Sequence, residues 1–138
     1  MNDVIVDASV AAPLFLADEQ GDQSDELMSV LTDGRAIVPQ HWRLEIANLG
    51  RKAVRRERIT RQEMHEGIAL LSTWPVQVDR FTDDWAWSRT LDIASDNDLT
   101  SYDAAYLELA KRTGLELATA DGALRRAAER EGVKLFPL

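Results

Sequence analysis

Four acidic residues, Asp7, Glu45, Asp103 and Asp121, stand at points where one predicted element of the chain gives way to another. Asp7 closes the apolar run Val4-Ile5-Val6, and Asp103 and Asp121 each open a helical pattern. Glu45 rides the margin of a helical stripe made by Trp42, Ile46, Leu49 and Ala53. Gathered carboxylates repel one another unless a proton or a cation intervenes. An all-oxygen donor set of this kind suits Mg²⁺. If the fold brings the four together, they make a pocket for divalent cations. Three of them also have an ordinary reading, because Asp7, Asp103 and Asp121 all sit where an aspartate caps a helix. Glu45 has no such reading, since it lies inside a helix beside an apolar face where a solvated charge is less comfortable.

Other chemistries find little support. The chain has no cysteine, which removes disulfides, thiolate catalysis and the usual structural zinc sites, and fits a reducing cytoplasm. The two histidines, His41 and His65, fall on different predicted helices with no recognisable acid–base partner, so a metal-free two-histidine nuclease is disfavoured. There is no glycine-rich phosphate loop, no G-x-S-x-G elbow and no dinucleotide fingerprint. A receiver-like phosphoacceptor needs adjacent acids after the first strand, and a D-x-D phosphatase needs a second aspartate there; Asp7-Ala8-Ser9 supplies one acid only.

At 138 residues the chain is expected to be one domain over 1–138. Its net charge of −8 argues against general nucleic-acid affinity. Yet Arg51, Lys52, Arg55, Arg56, Arg58 and Arg61 crowd one stretch, so a local basic ridge can coexist with a negative whole. No basic leader precedes Val4, and the apolar run over 10–17 is too short to cross a bilayer, so a cytoplasmic location without membrane contact is expected.

Short β-rich runs alternate with longer helical patterns. Strands are predicted over 4–6, 36–38, 76–78, 115–119 and 133–136. Helices are predicted over 9–17, 22–33, 40–57, from Thr60 to Trp74, over 83–95, from Thr100 or Ser101 to Gly114, and over 121–131. Thr60 with Glu63 reads as a capping box, and Gly114 and Gly132 as helix stops. Tyr102 and Tyr106 read as core; Trp85 and Trp87, two apart on a helix, cannot both face it. Strands separated by helices imply an α/β fold with a mostly parallel sheet of about five strands, joined by right-handed crossovers. In such sheets the functional crevice lies beyond the carboxyl ends of the strands, where strand order reverses. Asp7 and Asp121 lie just past strand ends.

Taken together, Val4-Ile5-Val6-Asp7-Ala8-Ser9, Glu45 with Asn48, the run from Leu99 to Tyr106 and Ala118-Thr119-Ala120-Asp121 resemble a PIN domain. They look like the toxin component of the VapBC toxin–antitoxin systems. The resemblance spans nearly the whole chain with its motifs in order. It implies a PIN-like fold and metal-dependent endoribonuclease activity with Mg²⁺ or Mn²⁺. It also implies an RNA substrate, a cognate antitoxin that silences the enzyme, and a homodimer. By the same resemblance Asp7, Glu45, Asp103 and Asp121 are the catalytic and metal-binding acids, supported by Ser9, Asn48 and Thr119. Lys52 and Arg55 are the leading candidates for RNA contact. The rival reading is a catalytically silent PIN-like module that binds RNA or protein.

Overall fold

A computed structural model of the chain describes residues 2–15 and 22–138. Its centre is a sheet of four short parallel strands, β1 (Val4–Val6), β2 (Ala36–Val38), β3 (Val76–Val78) and β4 (Leu117–Ala118), in the order β3-β2-β1-β4. The register pairs Ile5 with Ile37 on one side and with Leu117 on the other. β1 and β2 are apolar and buried along their whole length, as expected of parallel strands covered on both faces. From β1 the chain steps to β2 and β3 on one side and later returns to β4 on the other. The strand order therefore reverses between β1 and β4.

The expected fifth strand over 133–136 shrinks to a single bridge between Leu135 and Leu117, with Phe136 N–H donating to Leu117 O. Pro137 follows and has no N–H to continue a ladder. The stretch predicted as strand over 115–119 is likewise trimmed to β4, because Thr119 turns its hydroxyl into the loop beyond.

After β1 the chain forms a 3₁₀ helix, Ala8–Leu14, where an α-helix over 9–17 was expected. Pro13 lies inside it and cannot donate the i→i−4 bond an α-helix needs, while Val10 N–H already closes an i→i−3 turn on Asp7 O. Residues 16 and 17 of that expected helix, and the break at Gly21, lie outside the described residues. The remaining helices are α1 (Asp22–Leu31), α2 (Trp42–Arg55), α3 (Arg61–Leu71), α4 (Thr82–Trp85), α5 (Leu91–Asn97), α6 (Ser101–Thr113) and α7 (Gly122–Arg130).

The single helix expected over 83–95 is divided by a π-helical turn, Ala86–Thr90, between α4 and α5. The wider turn shifts the surface register, so that Thr90, Ile93 and Ala94 face the core while Trp87 stands 94% exposed. Trp85 is half-buried under the Arg89 guanidinium, 4.2 Å from its ring centre. Among the described residues no helix is long and apolar enough to cross a membrane.

Local signals set the helix ends. Thr60 and Glu63 form a complete reciprocal capping box at the start of α3. Thr100 caps α6 by accepting the Asp103 N–H at 3.2 Å, and Gly114 ends it at φ 72°, where a side chain would be strained. α6 is the central helix, buried from Ala104 through Ala110.

Phe15 wedges between α2 and α3 because both present a buried glycine there. A Cβ at Gly67 would stand 2.8 Å from the Phe15 ring and 3.1 Å from Leu14 O. Gly67→Ala is therefore expected to destabilise the protein by about 1–3 kcal/mol through overpacking, read as a lower urea midpoint at unchanged slope.

Candidate active site

Asp7, the first residue past β1, is only 5% exposed. It occupies the N-cap position of the 3₁₀ helix, yet its side chain makes no capping bond. Its Oδ2 instead accepts from Ser9 Oγ and from Thr119 Oγ1, each at 2.7 Å. The direction of both bonds is fixed from behind. Ala120 N–H donates to Ser9 Oγ at 3.0 Å and Asp121 N–H donates to Thr119 Oγ1 at 3.1 Å, which leaves each hydroxyl proton for the carboxylate. Arg125 donates to Thr119 O and braces the same turn. These bonds join the loops after β1 and β4, at the place where strand order reverses.

Glu45 lies in the first turn of α2. Its Oε1 accepts the Tyr106 hydroxyl at 2.5 Å and lies 3.4 Å from His41 Nε2. That nitrogen is closer, 3.0 Å, to Tyr102 O, which can only accept, so Nε2 carries the proton. Burial lowers the His41 pKa, which keeps the ring neutral and suited to that bond. The His41 ring meets Tyr102 and Tyr106 edge-on, at 5.6 and 5.5 Å between centres. Two adjacent bonds thus fasten the start of α2 to the first turns of α6.

Asp103 is in the first turn of α6 and Asp121 is the N-cap of α7, its Oδ1 accepting from the Ala123 and Leu124 N–H groups. The capping reading of Asp121 is correct as far as it goes, but the residue also acts on its neighbours. Burial first, and then the Asp121 charge, raise the pKa of Asp7 against the pull of its hydroxyl donors. Burial raises Glu45 to about 7, with the charges of Asp7 and Asp103 adding to it and the Tyr106 bond opposing. Asp103 is raised by burial and by the charges of Asp7 and Asp121. All four acids therefore share one field, and among the described residues no lysine or arginine is among the groups that act on the carboxyls of Asp7, Glu45 and Asp103.

Several other carboxylates have cations. The Arg35 guanidinium holds Asp3 below the ordinary range, and Lys111 does the same for Glu131. Asp79, just past β3, is pushed up by burial, but the two-pronged bond from Arg112, at 3.0 and 2.7 Å, outweighs that and holds it low. Among the described residues the lack of a paired cation at Asp7, Glu45 and Asp103 is thus local.

A match to the PIN domain family model covers residues 4–130. The chain belongs to the PIN domain family. Proteins of this family are generally nucleases and generally bind divalent metal ions. The fold is also similar to the crystal structure of PAE2754 from Pyrobaculum aerophilum, with a TM-score of 0.67 and 24% identity over 91% of this chain and 79% of that one. No curated protein matches the chain in sequence.

Among the described residues of this PIN domain, no three acids or histidines close on one point as a finished metal cage. The donor chemistry nevertheless fits Mg²⁺ or Mn²⁺ held through water. Mg²⁺ dehydrates reluctantly and usually takes one or two carboxylates with several waters, and the acids here are hard oxygen donors with unrelieved negative charge.

The other sequence candidates divide. Ser9 and Thr119 touch Asp7 directly. Asn48 is exposed one turn beyond Glu45. Lys52 and Arg55 are exposed in the last turn of α2, and Lys52 lies about 10 Å along the helix axis from Glu45. Arg55 lines a groove towards α3 with Arg51, Arg61 and Met64. Tyr106 is fully buried as expected, but its hydroxyl serves Glu45. Tyr102, expected in the core, is 65% exposed, because its place in the first turn of α6 puts it at the rim. His41 belongs to the site, and its signal was the i,i+4 spacing to Glu45.

The raised carboxyls set a pH trend for the metal-free protein. Glu45 holds its proton up to about pH 7 when folded and releases it near 4.5 when unfolded, so the folded state binds more protons between those values and stability falls as pH rises through them. Thermal midpoints in chelator are expected to drop from pH 5 to 7.5, and Glu45→Gln should flatten part of that drop; an equal drop in both proteins excludes Glu45 as its source.

Proposed function

We propose that the protein is a metal-dependent endoribonuclease that hydrolyses RNA phosphodiesters, and that it is the toxin of a toxin–antitoxin pair acting in the cytoplasm. The observation that carries the nuclease reading is the buried Asp7 carboxylate, held by Ser9 and Thr119 at the strand-order reversal of a PIN domain, where the charges of Asp103 and Asp121 bear on it or on one another. The toxin role, the antitoxin partner and the homodimer rest on the motif resemblance.

In this reading the four carboxylates hold one or two Mg²⁺ or Mn²⁺ ions. Such a cation lowers the pKa of its water and stabilises charge gathering on a phosphate. The chain's own contribution is placement. Ser9 and Thr119 fix the Asp7 carboxylate through Oδ2, and Tyr106 and His41 keep Glu45 against α6. No side chain is needed as nucleophile, because water attacks phosphorus and the P–O bond to the leaving nucleotide breaks. Lys52 and Arg55, further along α2, are the proposed contacts for flanking phosphates.

A second reading, a catalytically silent module that binds RNA or protein, is favoured by the lack of a finished metal cage among the described residues. Purified protein incubated with RNA separates the two. Cleavage is expected with Mg²⁺ or Mn²⁺ and none with excess EDTA. It should rise with pH across neutrality as Glu45 loses its proton. Asp7→Asn keeps an acceptor for the two hydroxyls and should fold normally by circular dichroism, while cleavage falls by more than about 100-fold. Full metal-dependent cleavage by a folded Asp7→Asn protein, or binding without cleavage by the parent, would favour the silent module.

A further inference from the structure

The acidic site has an aromatic neighbour that its proposed chemistry does not use. Tyr102 immediately precedes Asp103 in the first turn of α6, and its side chain is 65% exposed. Tyr106, one turn on, is wholly buried, so the helix places one tyrosine under the site and the other over its rim. Leaving so large an apolar ring in water forgoes its burial energy.

The exposed ring is nonetheless held. His41 approaches it edge-on, with centres 5.6 Å apart and planes at 65°, and the same imidazole donates to the Tyr102 carbonyl at 3.0 Å. At that angle the imidazole is not stacked flat on the ring, so a face of the tyrosine stays open. His41 is in turn fixed by its contacts with Tyr106 and Glu45. A held, open aromatic face one residue from a phosphodiester-cleaving carboxylate needs little ordering to accept a flat partner.

We propose that Tyr102 is a stacking platform for an unpaired nucleobase next to the scissile phosphate. A base in a duplex has both faces covered by its neighbours, whereas an unpaired base can turn out and lie on an aromatic ring. Stacking of this kind tolerates any base and adds affinity that the acidic surface around the site does not offer. The inference rests on the nuclease reading above and adds the residue that positions a base beside the cut.

The test measures kcat/KM with Mg²⁺ on a single-stranded oligoribonucleotide, on the same sequence closed into a perfect duplex, and on a series carrying one abasic residue at successive positions. Tyr102→Ala is expected to lose about tenfold or more on the intact single strand, with Tyr102→Trp close to the parent. In the parent, one abasic position beside the cut should cost a similar factor; in Tyr102→Ala that position should cost nothing further. The duplex should be the poorest substrate for the parent. Thermal midpoints of both variants should match the parent, since the ring is exposed.

Intact-strand cleavage by Tyr102→Ala equal to the parent overturns the platform and leaves the nuclease reading standing. So does a loss in Tyr102→Ala with an unchanged abasic profile, which would assign the residue a purely structural part. A parent that cleaves no RNA in Mg²⁺ or Mn²⁺ removes the nuclease reading itself, and the platform with it.

Discussion

Asp7 is a buried carboxylate just past the ends of two parallel strands, and what surrounds it organises the rest of the site. Each hydrogen bond from a hydroxyl to an ionised group contributes about 1.5–3 kcal/mol, whereas taking such a charge out of water costs several kcal/mol. Ser9 and Thr119 together therefore soften the penalty without removing it, and the pKa of Asp7 stays raised. The hydroxyls do more for position than for charge. Backed by the Ala120 and Asp121 amides, they bind the loops after β1 and β4 across the strand-order reversal and leave the carboxylate no other orientation.

The same economy of countercharge runs through the molecule and separates framework from site. Arg112 grips both Asp79 and Glu108, tying the end of β3 to the middle of α6, and Arg35 and Lys111 neutralise Asp3 and Glu131. At these framework carboxylates a guanidinium or ammonium meets the charge. At Glu45 the partners are a phenol and a neutral imidazole, which orient the group without supplying a positive charge. An arrangement that spends burial on acids and withholds cations is suited to a cation that arrives from outside.

Much of this was readable in the sequence, because the signals involved are local. The apolar run before Asp7, the Thr60–Glu63 pair, the Thr100 cap and the stop at Gly114 each depend on residues within a turn of one another. The motif resemblance implied one pocket for the four acids; the parallel topology supplies the edge that Asp7 and Asp121 share, while among the described residues no three acids or histidines close on one point. What escaped depends on contacts made across the fold. The Tyr106 hydroxyl meets Glu45 from 61 residues away, which no periodicity of α6 encodes. Tyr102 shares the apolar character of its helix but sits too near its start to be covered. The π-turn at Ala86–Thr90 and the 3₁₀ helix around Pro13 change how many residues make a turn, and an assumed α-helical period misplaces the side chains beyond them.

Net charge then poses the problem that an RNA-cleaving reading must solve, since a chain at −8 repels a polyanion. Basic residues alone do not solve it here: Arg55 faces the groove beside α3, and Lys52 stands about two turns of helix from Glu45. The sign of the field at the acids has to be reversed locally, and a divalent ion bound there does that within the few ångströms where the phosphate must sit. Affinity for the rest of the strand would then come from Lys52 and Arg55 together with contacts indifferent to charge, and an open aromatic ring on the rim is such a contact in a chain whose net charge is negative.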